Sequence, residues 1–427
     1  MLMTYSFGLL LVLVLGSPWW LFRMATSGKY RHGLAERLGF VPKRIHEGID
    51  GREVVWVHAV SVGELLAASR LIEDLGQRLG RSSGAGDGWR VMISTTTRTG
   101  QELARQRFGA ERVFYFPLDL GWAVRAWLKA LRPRLLVLVE TEFWPRMLDE
   151  CRRAGIPVAV VNARISDRSW PRYRRFAAMW RRLLSRLAVV LAQTETDAQR
   201  LRVLGAENVR VAGNLKYDVR AAESGPLTAL MREFLPGDTR VMVCGSTAPG
   251  EEELLLDALP EGIVTVLAPR HPERFGDVAA ILKRRGKLWV QRSEWAKAPR
   301  PLEPGTVFLL DSIGELASLY SLAGVAFVGG SLVNAGGHNP LEAAQFGVPV
   351  VIGPSFENFR GIVEKLRARD AIRIAGAAEL RSVLAEMLSC TESARGVGDR
   401  AREIFEGEAG ATERAVRTLI ELLEARA

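Results

Sequence analysis

The sequence predicts an α/β protein: two doubly wound domains, each a parallel sheet with helices on both faces, preceded by one apolar helix. Three observations carry the prediction. Short apolar runs alternate with helical patterns along both halves of the chain, as in strand–helix–strand units whose strands are covered on both faces. With 427 residues, 48% of them hydrophobic and 25% charged, the chain is globular and long enough for two full cores. Its first 22 residues carry no charged side chain.

That opening stretch contains Phe-Gly-Leu-Leu-Leu-Val-Leu-Val-Leu-Gly at positions 7–16 and is about long enough to cross a bilayer as a helix. Trp19, Trp20 and Phe22 then read as an interfacial aromatic belt, followed by Arg23, Lys29 and Arg31. A cleaved signal peptide places positive charge before its apolar run, whereas here it follows. The expectation is an uncleaved, single-pass transmembrane anchor over residues 1–22, with the rest of the chain on the cytoplasmic side.

The first domain is expected over residues 23–220. A basic segment at 30–40 is followed by strands at 54–58, 91–94, 113–116, 135–139, 157–162 and 189–193, separated by helical patterns such as 65–79, 100–108 and 121–131. Residues 80–88 are rich in Gly and Ser and read as a surface loop. Between the last two strands, from Arg164 to Arg186, lie eight arginines and one acid, Asp167, interleaved with Trp170, Tyr173, Phe176 and Trp180. Residues 1–220 hold 35 Lys and Arg against 20 Asp and Glu, a net +15, while residues 221–427 hold 23 against 28, a net −5. The first half therefore calls for an anionic partner. Beside an apolar anchor, an amphipathic arginine-rich segment favours the phosphates of an anionic membrane surface over nucleic acid.

Residues 219–238, with Pro226 and Pro236, read as a linker. The second domain, 221–427, has strands at 240–244, 263–268, 287–291, 307–310 and 325–328. After the last of these come a glycine loop, a helix and another strand, and the tail 377–427 is mostly amphipathic helix. The three cysteines, Cys151, Cys244 and Cys390, and the five histidines are scattered, so neither a disulfide framework nor a metal site is expected.

Ligands of open α/β sheets bind beyond the carboxyl ends of the strands. In the second half those positions hold Ser246, Pro269, Arg270, the turn Ile313-Gly314-Glu315, and Asn339, Pro340, Leu341 and Glu342. Together they offer a hydroxyl, a fixed cation, backbone amides and a carboxylate, a set that suits a nucleotide with a phosphate. Asn339 reads as a helix N-cap with Pro340 at the first helical position, whose free amides and dipole suit a phosphate. Glu342 reads as a partner for sugar hydroxyls, or as the second half of a capping box and nothing more. No Gly-x-Gly-x-x-Gly follows a strand and no Gly-Lys-Ser/Thr occurs, which argues against dinucleotide and triphosphate-hydrolysing sites. In the first half, Glu64 and the pair Glu140 and Glu142 terminate strand-to-helix turns. Glu64 closes the capping box Ser61-Val62-Gly63-Glu64 and is equally a candidate general base. Lys216 is an isolated cation near the domain boundary that could face a leaving phosphate.

Five motifs, in order, resemble the 3-deoxy-D-manno-octulosonic acid (Kdo) transferase family over nearly the whole chain. They are His58-Ala59-Val60-Ser61-Val62-Gly63-Glu64, Glu140-Thr141-Glu142-Phe143-Trp144-Pro145, Gly213-Asn214-Leu215-Lys216, Ala268-Pro269-Arg270-His271 and Gly336-Gly337-His338-Asn339-Pro340-Leu341-Glu342. The resemblance implies a GT-B glycosyltransferase, two Rossmann-like domains facing a cleft. Its activity would be inverting transfer of Kdo from CMP-Kdo to the lipid A precursor, lipid IVA, in lipopolysaccharide core biosynthesis at the cell inner membrane. It makes Glu64 the base that deprotonates the acceptor hydroxyl, and Glu140 and Lys216 stabilisers of the transition state. Pro269, Arg270, Ile313, Gly314, Glu315, Asn339, Pro340, Leu341 and Glu342 would hold CMP, although the 313–315 turn departs from the family pattern. It implies no metal and no cofactor beyond the CMP-Kdo donor, in keeping with the missing Asp-x-Asp. Two other readings remain: a GT-B nucleotide-sugar 2-epimerase, and a membrane-tethered nucleotide-binding protein without catalysis.

Overall fold

The structure, a computed structural model, describes residues 2–19, 32–82, 88–237, 239–389 and 391–425. The chain forms two compact units, Met1–Val219 together with Ala409–Ala427, and Arg220–Glu408. Each contains a seven-stranded sheet in which the paired strands run parallel.

In the first unit β1 (Glu53–His58), β2 (Trp89–Thr95), β3 (Val113–Tyr115), β4 (Pro133–Val139), β5 (Val158–Ala163), β6 (Val189–Ala192) and β7 (Val209–Val211) lie in the order β3-β2-β1-β4-β5-β6-β7. Alternate side chains of each strand supply two cores. Val55 and Val57 pack with Leu65, Leu71 and Leu75 of the Val62–Ser82 helix on one face. Val54 and Trp56 pack on the other with Trp127 and with Met147 of the Pro145–Arg153 helix. The chain thus leaves β1 towards one face and β4 towards the opposite face, and a crevice opens beyond their carboxyl ends.

The second unit repeats the plan. Its strands are β8 (Val241–Thr247), β9 (Val264–Pro269), β10 (Trp289–Gln291), β11 (Val307–Leu309), β12 (Val325–Val328), β13 (Val350–Ile352) and β14 (Arg373–Ile374). Their order, β10-β11-β9-β8-β12-β13-β14, reverses between β8 and β12.

Four expectations change. The N-terminal helix runs from Leu2 to Leu15, only 14 residues, or about 21 Å of rise against about 30 Å of hydrocarbon. Among the described residues no helix is long and apolar enough to cross a membrane. The apolar composition extends further than this helix because a turn at Gly16 ends it, and residues 17–19 are again helical, with Pro18 in a first turn where its missing amide costs nothing. Tyr5 is hydrogen-bonded to the buried Asp119, which ties this helix to the first unit. Trp20, Phe22, Arg23, Lys29 and Arg31 lie outside the described residues, as do Cys390 and most of the 80–88 loop.

The supposed linker carries a helix, Pro226–Phe234, with Pro226 at its start and Leu227 and Met231 buried. The tail does not stay with the second unit. Its last helix, Ala411–Glu424, buries Ala415, Val416 and Leu419 against the Val62–Ser82 helix side of the first sheet. Asp218 caps that helix, accepting the amides of Gly410 and Thr412 at 2.6 and 2.5 Å. Finally, the helix after Asn339 is one turn, Leu341–Ala344, too short to develop a macrodipole.

If the tail completes this core, Leu419→Ala costs about 2–5 kcal/mol of first-unit stability. The measurement is urea unfolding followed by tryptophan fluorescence, and an unchanged midpoint would place the helix outside the core.

Candidate functional site

Each unit concentrates its polar groups where its strand order reverses. In the first, Glu64 stands in the first turn of the helix that follows β1. Its carboxylate accepts the Val60 amide at 2.7 Å and the Ser61 hydroxyl at 3.0 Å, while Ser61 Oγ accepts the Glu64 amide at 3.3 Å. The capping box is formed, but it does not fix the charge. Burial, and after it the neighbouring charge of Glu140, push the carboxyl up to about 7; Glu142 adds to this, and the two hydrogen bonds oppose it.

Glu140 follows β4 directly and adopts left-handed backbone, φ 60°, uncommon for a residue with a side chain. Glu142, two residues on, is also raised, by burial and by Glu140. Facing these acids is Lys216, in the short turn Leu215–Asp218. Asn214 Oδ1 receives the Lys216 amide at 3.0 Å. Asn162, itself left-handed in β5 with φ 57°, receives the Leu215 amide at 3.1 Å. Burial lowers the Lys216 ammonium, Glu140 and Glu64 raise it, and Arg164 pushes it down again. A carboxyl poised near neutrality beside a positioned ammonium is suited to accepting a proton and stabilising developing charge.

In the second unit Ser246, φ 58°, sits in β8, and the chain after β12 passes so close that a Cβ on Gly329 would lie 2.5 Å from the Ser246 carbonyl oxygen. Pro269 ends β9, and the Arg270 amide bonds the Thr247 carbonyl at 3.0 Å, leaving the guanidinium exposed. Asn339 Oδ1 accepts the Leu341 amide at 3.2 Å. Burial raises the Glu342 carboxyl, against a hydrogen bond with Asn339 and the charge of Arg270. Thus Ser246, Pro269, Arg270, Asn339, Pro340, Leu341 and Glu342 share the ends of the adjacent strands β8, β9 and β12. The turn after β11 differs. Ile313 is 77% exposed, and the Glu315 carboxylate is taken up by Arg292 at 2.8 Å and by Ser312.

Sequence reasoning passes over His338 as a single residue, yet it lies among these groups. Burial, then Arg270 and His271, push its imidazole down to about 4, so it is neutral at physiological pH. Glu251 and Glu252 are in sequence simply an acidic helix start, but both are fully buried. The one available signal is positional: Glu251, like Glu64, lies in the first turn after the first strand of its half. Among the described residues, no group of three or more His, Cys, Asp or Glu side chains could hold a metal ion.

A family model described as 3-deoxy-D-manno-octulosonic-acid transferase (kdotransferase) matches residues 32–219. The 3-deoxy-D-manno-octulosonic acid transferase of Haemophilus influenzae is 33% identical over 412 residues, 93% of this chain and 93% of its own length. That of Bordetella pertussis is 34% identical over 86% of each chain. Among solved structures, the UDP-GlcNAc 2-epimerase from Neisseria meningitidis bound to UDP-GlcNAc aligns with a TM-score of 0.55. The alignment covers 86% of this chain and 100% of the epimerase at 14% identity, a likeness of fold alone.

The raised Glu64 carboxyl has a stability consequence. Its folded state keeps a proton that the unfolded chain releases near pH 4.5, so its contribution is complete below that pH and is lost as pH rises through about 7. Glu64→Gln is therefore expected to gain melting temperature relative to the native chain between about pH 5 and pH 8. Parallel pH–stability curves for the two proteins would remove the shift.

Proposed function

We propose a reaction for a chain that belongs to the 3-deoxy-D-manno-octulosonic-acid transferase family: inverting transfer of Kdo from CMP-Kdo to a hydroxyl of the lipid A precursor, lipid IVA. The observation that carries the mechanism is Glu64, held near neutrality by burial and two acids beside Lys216, at the point where the first sheet reverses its order. The second unit supplies the chemistry of a nucleotide site, with Arg270, the amides around Asn339 and the partly buried Glu342 at its own reversal.

In this reading Glu64 takes the proton of the acceptor hydroxyl as its oxygen bonds the anomeric carbon of Kdo. The bond from that carbon to the CMP phosphate breaks, and its electron pair leaves with CMP. Arg270 and the loop amides meet the charge that grows on the phosphate, an interaction stronger in the transition state than in the ground state. Lys216 stabilises negative charge, and Glu140 the cationic character of the sugar. Glu342 takes the ribose hydroxyls. No cofactor or metal is assigned a part.

A lipid acceptor places the reaction at the cytoplasmic side of the inner membrane. The exposed Leu10, Leu11, Val12, Val14, Leu15 and Trp19 support contact of this apolar segment with lipid. The exposed arginines 168, 172, 174, 175, 181 and 182 support attraction to lipid phosphates. The epimerase alternative has only the likeness of fold in its favour.

With labelled CMP-Kdo and tetraacyl lipid A precursor, Glu64→Gln is expected to lower transfer by roughly 10²–10⁴ while CMP binding, measured by calorimetry, stays intact. Loss of both, or of neither, would reject Glu64 as the base. Arg270→Ala is expected to weaken CMP binding by about 10- to 100-fold, the weight of one charged hydrogen bond. Unchanged binding would move the phosphate elsewhere.

A further inference from the structure

We propose that Glu251 and Glu252, neighbours at the start of the Glu251–Ala258 helix, are positioning residues that pre-form the two loops of the nucleotide site, an inference resting on the donor-site reading above. Glu251 holds the glycine loop after β12, and Glu252 holds the turn that carries Arg270.

Both side chains are fully buried, with 0% exposure. Glu251 Oε2 accepts the amides of Ala248 at 2.8 Å and Gly330 at 2.6 Å, and Oε1 accepts those of Ser331 at 2.8 Å and Leu332 at 2.7 Å. Four donors fill the four lone-pair sites of a carboxylate. They come from the loops after β8 and after β12, the two sides of the strand-order reversal. The hydrogen bonds continue into the candidate site: the Gly337 amide bonds the Gly330 carbonyl at 2.7 Å, and the His338 amide bonds the Gly329 carbonyl at 3.1 Å. One buried carboxylate therefore sets the path that delivers Asn339 and Glu342.

Glu252 does the same on the other side. Its Oε1 accepts the Thr247 hydroxyl at 2.8 Å and Arg274 Nη1 at 2.7 Å, and its Oε2 accepts Arg274 Nη2 at 3.0 Å. Arg274 closes its turn by donating its backbone N–H to the His271 carbonyl at 3.0 Å, and the Arg270 N–H donates to the Thr247 carbonyl at the same length. The fork-to-carboxylate geometry fixes orientation as well as distance. Arg270 is thus seated between two contacts made to the end of β8, and neither acid needs to touch the nucleotide to decide where its partners stand.

The distinguishing variant is Glu251→Gln, which keeps the shape but offers one acceptor oxygen and turns an NH₂ towards amides that are themselves donors. Expected are faster amide hydrogen exchange at residues 329–335, with the sheet strands unchanged, and a KM for the CMP-sugar raised about tenfold or more, with kcat changed much less. A merely structural role would lower the folded fraction, and so the apparent kcat, at constant KM. Constant KM together with native exchange at 329–335 overturns the inference. Arg274→Lys keeps the charge but loses the fork, and it is expected to raise KM by several-fold; it serves as the test if Glu251→Gln does not fold, and an unchanged KM in it overturns the role of Glu252. If the native chain binds no CMP by calorimetry while Glu251→Gln still loosens residues 329–335, the loop-holding stands and the donor-site reading falls.

Discussion

A parallel strand that ends at a reversal of strand order leaves backbone amides without a ladder partner, and both units depend on how those amides are satisfied. Each uses an acid from the first turn of the helix after its first strand. In the first unit Glu64 accepts one backbone amide and one hydroxyl. In the second, Glu251 accepts four amides from two loops. The same residue type in the same topological place thus does two different things. Glu251 is saturated by donors and serves as a strut. Glu64 is buried with only two donors to offset the cost and sits beside two further acids, and so holds a proton into the neutral range.

The same logic links the tail to the site. Asp218 ends the short turn that bears Lys216, and its carboxylate takes the first amides of the Ala411–Glu424 helix. That helix in turn completes the core under the helix that carries Glu64 in its first turn. Residues almost two hundred positions apart therefore share one hydrogen-bonded corner. Strained backbone marks the neighbouring positions: Glu140 and Asn162 are both left-handed, and each lies at or beside a strand's carboxyl end.

Much of this is legible in the sequence alone, for local reasons. Period-two and period-3.6 patterns are properties of adjacent residues, so the strands that lead to Glu64, Glu140, Arg270 and Asn339 could be placed before their neighbours were known. What failed was also local reasoning carried too far. The apolar run at the N-terminus reads as a span until a turn at Gly16 limits its first helix to 14 residues. The stretch around Pro226 reads as a linker because prolines mark loops, yet proline is equally at home in the first turn of a helix. The phosphate argument at Asn339 leaned on a helix dipole, and one helical turn supplies amides but little dipole.

The sequence by itself determined the class of fold, the succession of strands and the positions of the polar groups at their ends, because alternation of apolar residues and the chemistry of glycine and proline act within a few residues. Only the tertiary structure decided what each acid is. It separated Glu64, kept near neutrality by burial and by Glu140, from Glu251, whose acceptor sites are filled by amides up to 81 residues away, and from Glu315, taken up by Arg292. It also returned the last helix to the first unit. Burial, desolvation and hydrogen-bond count are sums over neighbours in space, and no local pattern contains them.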